Sequence, residues 1–145
     1  MSTVEMKTAD LIGPSLDWAV AQVEGVKTLM MSPRKGEPKA PFALFGSIAL
    51  SFGGDDQSSY APSTCWHCGG PLIQQFGCDL NCLAPTNAWE ANCWDSAVPQ
   101  PDLHICEGET PLIAACRAIV RAKLGDTVQI PAELLTHSHL RPADR

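Results

Sequence analysis

From Pro14 to Glu24 the apolar positions Leu16, Ala19, Val20 and Val23 fall at i, i+3, i+4 and i+7, one face of a 3.6-residue period, and predict a helix. Pro14 suits its first turn and Gly25 the left-handed residue that closes it. Trp18 falls roughly 200° around that helix from Leu16, so it is expected to meet another element or to be partly exposed. Lys27 to Met31 predicts a short strand, Ser32 to Ala40 (SPRKGEPKA) a loop, and Phe42 to Phe52, strand-like in its second half and closed by the turn formers Gly53 to Ser59, one strand somewhere within it. Between Tyr60 and Asp102, prolines at 62, 71, 85, 99 and 101 argue against a long helix and predict short strands tied by loops, with Pro71 to Phe76 (PLIQQF) as one of the strands.

The clearest element lies further on. Thr110 is a natural N-cap, Pro111 a natural first helical residue, and Leu112, Ile113, Cys116, Ile119, Val120 and Leu124 form a broad apolar stripe that ends at Gly125. Asp126 to Ile130 (DTVQI) alternates and precedes Pro131, which predicts a short edge strand. The fold class that follows is α+β: a small, mostly antiparallel sheet with two helices packed on one face and a loop-rich lobe containing cysteines. Residues 1–136 are expected to form one domain, and residues 137–145 (HSHLRPADR) a flexible tail.

Composition narrows the function classes. The 145 residues are 45% hydrophobic and 18% charged, enough apolar content to fold. Sixteen acids against ten bases leave a net charge of −6, which excludes general nucleic-acid binding through a positive surface. The most apolar stretch, Pro41 to Phe52, is twelve residues long and interrupted by Gly46, Ser47 and Ser51, too short to span a membrane. Met1 to Asp10 has no apolar core of a secretory signal, so a cytosolic protein is expected. In that compartment seven cysteines are expected to be buried thiols, metal ligands or a reactive site rather than a disulfide framework.

Three blocks resemble a known family: Leu16-Asp17-Trp18-Ala19-Val20-Ala21; Tyr60-x-Pro62-Ser63-Thr64-x-Trp66-x-x-Gly69-Gly70-Pro71-Leu72-Ile73; and Thr110-Pro111-Leu112-Ile113-Ala114-Ala115-x-Arg117 with Lys123-Leu124-Gly125-Asp126. In this order they resemble the phage NinX proteins, small accessory proteins of tailed phages and prophages with no established activity. The resemblance implies a phage or prophage origin and the cytoplasm of the bacterial host as the place of work; it supplies no mechanism. This chain has Cys65 where the family carries Asp after Ser-Thr, and Cys68, Cys78 and Cys82 are outside the family pattern. The segment from Arg34 to Asp56 also looks longer than the family's loop.

The sharpest local chemistry is Cys65-Trp66-His67-Cys68 followed by Cys78 and Cys82, a CxxC and a CxxxC. Thiolates at such spacing can share one tetrahedral zinc, with Gly69-Gly70 permitting the turn behind the first pair; one structural zinc is the cofactor this pattern offers. Small buried apolar thiols are the alternative, and Cys116 on the helix stripe falls in that class. A redox CxxC needs a helix starting at the pair, and Gly69-Gly70-Pro71 immediately behind it reads as a poor helix start. A nucleophilic Cys65 or Cys68 would need His67 or His104 as its base. His137 and His139 belong to the solvated tail.

Tyr60, Ser63, Thr64, Trp66, Gly69 and Gly70 form a second constellation, offering hydroxyls, glycine-freed N–H groups and a stacking ring to a ligand, with Arg117 to meet an anion and Trp18 as a further aromatic contact. Their structural reading is turn caps, a hairpin and a core tryptophan. No Walker loop, GxSxG, HExxH or paired-acid motif points to an enzyme. The expected function is therefore a non-enzymatic accessory protein that binds a host component, with a counter-defence inhibitor as its sharpest form. Sequestration of a small signalling nucleotide at the 60–70 loop is one alternative, and a zinc-stabilised module or cysteine-dependent enzyme is another. A protein binder predicts an exposed apolar or aromatic patch rimmed by acids.

Overall fold

The computed structural model describes residues 2–32, 35–52, 59–97 and 99–135. Two helices stand where the periodicity places them: α1, Pro14–Glu24, ended by Gly25 in the left-handed conformation, and, near the C-terminus, Pro111–Leu124, capped by the Thr110 hydroxyl accepting from the Ile113 amide at 3.1 Å. A third helix, Trp66–Phe76, lies between them and makes the Pro111–Leu124 helix α3.

That middle helix, α2, corrects the expectation of loops and of a strand at 71–76. Pro71 does lose one helical hydrogen bond, but the residue before it is Gly70, which has no Cβ to clash with the proline ring. Gly69, Leu72, Ile73 and Phe76 recur at helical spacing, with Gly69 and Leu72 buried and the other two packed against the core. The glycine pair thus shapes a helix, not a hairpin.

The strands form three sheets, not one. β1 (Thr3–Lys7) pairs antiparallel with β9 (Thr127–Pro131), joining the start of the chain to the strand expected at 126–130. β2 (Lys27–Met31), β3 (Ala40–Phe45), β4 (Ile48–Phe52) and the two-residue β5 (Ser59–Tyr60) form the second sheet, with only β4 and β5 parallel. The segment 42–52, expected to hold one strand, holds the end of β3 and all of β4, because Gly46 takes φ +65 and turns the chain. β6 (Asp79–Leu83), β7 (Ala88–Trp94) and β8 (Leu103–Gly108) form an antiparallel meander, the first two within the stretch expected to hold short strands tied by loops. The class remains α+β. The tail at 137–145 and most of the turn at 53–59 lie outside the described residues.

The core sits where α1 and α3 meet and where α3 covers β7 and β8. Leu11, Leu16, Val20, Ile119, Val120 and Ile130 are fully enclosed, each worth roughly 1.5–3 kcal/mol of burial before entropy is subtracted. Trp18 joins this core, resolving its two expected placements in favour of contact. The Thr8 amide donates to the Asp126 carbonyl at 2.8 Å and its hydroxyl to the Gly125 carbonyl at 2.6 Å, fastening the segment after β1 to the end of α3.

Candidate functional site

The turn between β5 and α2 is built around one buried acid. Asp17 on α1 accepts the Ser63 amide through Oδ1 at 2.8 Å, while its Oδ2 is buried with no hydrogen-bond partner among the described residues. Burial pushes the Asp17 carboxyl up to about 7, against the smaller opposing pull of the Ser63 hydroxyl and amide beside it. That hydroxyl makes no hydrogen bond of good geometry itself among the described residues. The turn closes with the Thr64 and Cys65 amides donating to the Ala61 carbonyl at 3.1 and 2.8 Å.

Cys65 is the N-cap of α2, in extended conformation, and its carbonyl accepts the Cys68 and Gly69 amides at 3.1 and 2.8 Å. The helix therefore begins directly at the CxxC, contrary to the poor start expected from Gly69-Gly70-Pro71. Gly69 permits this, because a Cβ there would collide with the Pro62 carbonyl and press on Leu112. Backbone amides of Cys68 and His67 hold the Cys65 thiol below its usual range, whereas burial raises Cys68, helped by the charges of Cys65 and Asp17. Trp66, between them, is 56% exposed.

The four candidate zinc ligands are not brought together. Cys78 follows the far end of α2, whose eleven residues span roughly 16 Å, and Cys82 is exposed on β6. Cys78 pairs with another thiol, Cys93 on β7: their hydrogen bond raises Cys78 and lowers Cys93 to about 7. Among the described residues no three His, Cys, Asp or Glu side chains are placed to hold one ion. All seven cysteines are free thiols, and Cys116 is buried on α3 with its pKa raised by that burial.

The constellation read as a ligand pocket also divides. Ser63, Gly69 and Trp18 are buried, and Tyr60 is half-buried with its ring against Phe45 and Phe52, centroids 5.8 and 5.9 Å away. Arg117 spends its guanidinium on the frame, donating to the Leu11 and Glu107 carbonyls, both at 2.8 Å. Only Thr64 and Trp66 of that set are exposed; Gly70 is intermediate. His104 does not serve Cys65 or Cys68; it bonds Asp95 at 2.8 Å, and that bond with the Ala97 and Asp102 amides holds Asp95 down to about 2.

Sequence reasoning missed the outer face of the β6-β7-β8 sheet. There Trp94 stands opposite Leu103 and Asn92 opposite Ile105, and the apolar three are 56%, 40% and 45% exposed. Beside them Glu90 stands opposite Glu107, with Asp79 opposite Asn92 on the third strand. Alternation within β8, where Leu103, Ile105 and Glu107 are exposed while Cys106 and Gly108 are buried, puts these residues on the side away from α3. The period-2 pattern LHICEG carries this signal once the strand is known.

The frame and this face define a small α+β protein that presents an acid-rimmed apolar sheet surface to solvent. Its lineage is a phage one: the chain belongs to the family described as bacteriophage P22 NinX, whose model matches residues 7–123, and so to a group of phage accessory proteins. The match takes in α1, α2, the CxxC and the whole three-stranded sheet. Curated proteins provide no match to the chain. Among the described residues no helix is long and apolar enough to cross a membrane.

Proposed function

We propose that this phage accessory protein works in the cytoplasm of the bacterial host by binding a host protein through the outer face of β6-β7-β8, without turnover. The observation that carries the reading is the juxtaposition of Trp94, Leu103 and Ile105 with the opposed pair Glu90 and Glu107. A large aromatic and two aliphatic side chains in water mark an anchor for a partner, since such side chains dominate interface energies once desolvated. Two like charges directly across a strand pair are unfavourable, and a Lys or Arg placed between them would relieve that. The partner class is therefore a protein with an apolar surface flanked by basic side chains. Occupying such a protein is sufficient for a counter-defence role.

Sequestration of a small signalling ligand at residues 60–70 has less support, because Ser63, Gly69 and Trp18 are committed to the interior and Arg117 to backbone carbonyls. The experiment compares wild type with a Trp94→Ser, Ile105→Thr double variant as immobilised baits in host lysate. A host protein retained by wild type, lost by the folded variant and released by salt supports the reading. Equal retention by both baits, or a self-dimer as the only species lost, overturns it.

A further inference from the structure

Away from the sheet face, Cys65 and Cys68 share the first turn of α2, an arrangement that carries chemistry of its own. The Cys68 amide to Cys65 carbonyl bond at 3.1 Å closes that turn. Helix geometry then puts the two Cα atoms about 5 Å apart, within the roughly 4.4–6.8 Å that a disulfide spans. The thiols are close enough to share a hydrogen bond, and both reach solvent in part. They are also unequal. Cys65 caps the helix and faces its N-terminal amides, while Cys68 sits deeper, against the side from which Asp17 acts. The second observation is Asp17 itself: fully enclosed, with Oδ2 unpartnered and its charge felt at Cys68. A buried carboxyl with one oxygen left unpartnered is costly, and within electrostatic reach of a dithiol it has a use. The other titratable groups around this place are Tyr60 on β5, Cys116 on α3, Glu24 on α1 and, between the two thiols, the exposed His67.

We infer that Cys65 and Cys68 form a thiol–disulfide exchange site whose substrate is a disulfide, small or protein-borne, with the Asp17 carboxylate as the proton acceptor behind Cys68. The Cys65 thiolate attacks one sulfur of R–S–S–R′, forming the Cys65–S–S–R bond and releasing R′S⁻, which takes a proton from water. Cys68 gives its proton to Asp17 and attacks Cys65 Sγ, forming the Cys65–Cys68 disulfide and releasing RS⁻, protonated in turn. The substrate disulfide gains two electrons and is reduced to two thiols; the protein dithiol loses two and is oxidised. Transient disulfides of this kind are those a reducing compartment allows. Exposed Trp66 between the two thiols gives an apolar substrate a surface beside the attacking sulfur. This goes beyond the binding reading and does not depend on it.

The test uses the full chain in glutathione buffers of varied reduced-to-oxidised ratio, acid-quenched, alkylated and mapped by peptide mass spectrometry. Cys82, exposed on β6, is the internal reference thiol. The expected result is a reversible Cys65–Cys68 disulfide within the glutathione range, and alkylation of Cys65 at least tenfold faster than of Cys82 at pH 7. Cys68→Ser should trap glutathione on Cys65 as a stable mixed disulfide, while Cys65→Ser should leave Cys68 unglutathionylated. Asp17→Asn should leave Cys65 alkylation within twofold of wild type and slow resolution of the mixed disulfide about tenfold. Alkylation of Cys65 no faster than of Cys82, or glutathione collecting on Cys78 or Cys82 with no 65–68 disulfide, overturns the proposal. If Asp17→Asn does not fold, the two cysteine variants decide it alone.

Discussion

The Ser63 amide donates to Asp17 Oδ1 at 2.8 Å, joining α1 to the turn ahead of α2 across 46 residues of sequence. The acid is there to receive that amide, yet its enclosure makes ionisation expensive. Because the folded chain keeps the proton up to about 7 whereas an ordinary Asp releases it near 3.8, the folded state binds more protons between those values. Stability should therefore fall as pH rises through that window and level off above it, by on the order of 4 kcal/mol at most. Thermal melts at pH 5 and pH 8 should show the lower Tm at pH 8, and Asp17→Asn, which imitates the protonated acid, should flatten the difference. An unchanged slope in the variant would place the titration elsewhere.

Gly69 is the position at which α2 touches the preceding turn. Gly69→Ala should destabilise the protein by about 1–3 kcal/mol, since the added Cβ meets the Pro62 carbonyl, a backbone atom that cannot rotate away. Urea denaturation gives the number. A change within 0.5 kcal/mol, roughly the scatter of neutral surface substitutions, would mean the turn can shift freely.

Arg117 ties the Leu11 and Glu107 carbonyls to α3. Arg117→Met should keep the stem's packing, lose both charge-assisted bonds and cost roughly 2–3 kcal/mol in chemical denaturation. A ligand-contacting arginine would instead leave stability untouched.

If the cysteines are not assembled around an ion, a chelator should leave the Tm of freshly purified protein unchanged and native mass spectrometry should show the bare chain. One tightly held zinc per chain, lost together with more than a few degrees of Tm, would mean that Cys65, Cys68, Cys78 and Cys82 do converge.

The helices α1 and α3 were legible because each has an apolar stripe, a proline at its start and a glycine at its end, all local signals. β2 and β9 were legible from local signals of their own, β9 from polar–apolar alternation ahead of Pro131. α2 was hidden by Pro71: a proline inside a helix is a strong contrary signal, and it outweighed the Gly69, Leu72, Ile73, Phe76 period. β1 could not be read because its partner β9 lies at the other end of the chain, and Val4 and Glu5 are exposed. The ligand reading of residues 60–70 loses support through burial, which one sequence does not show: Ser63 and Gly69 are buried, and Asp17, a polar residue on a helix, is enclosed. The face carrying Trp94, Leu103 and Ile105 depends on strand register, and register is settled by the tertiary pairing of β7 with β8.

The most direct measurement of the binding account is site-specific photo-crosslinking in host cells, with a photoreactive amino acid placed at Ile105 on the outer sheet face or at Leu29, an apolar position on β2 that is no less exposed. The account predicts one discrete host-protein adduct from position 105, abolished by adding Trp94→Ser, and none from position 29. Adducts of equal yield from both positions, or from position 29 alone, would contradict it.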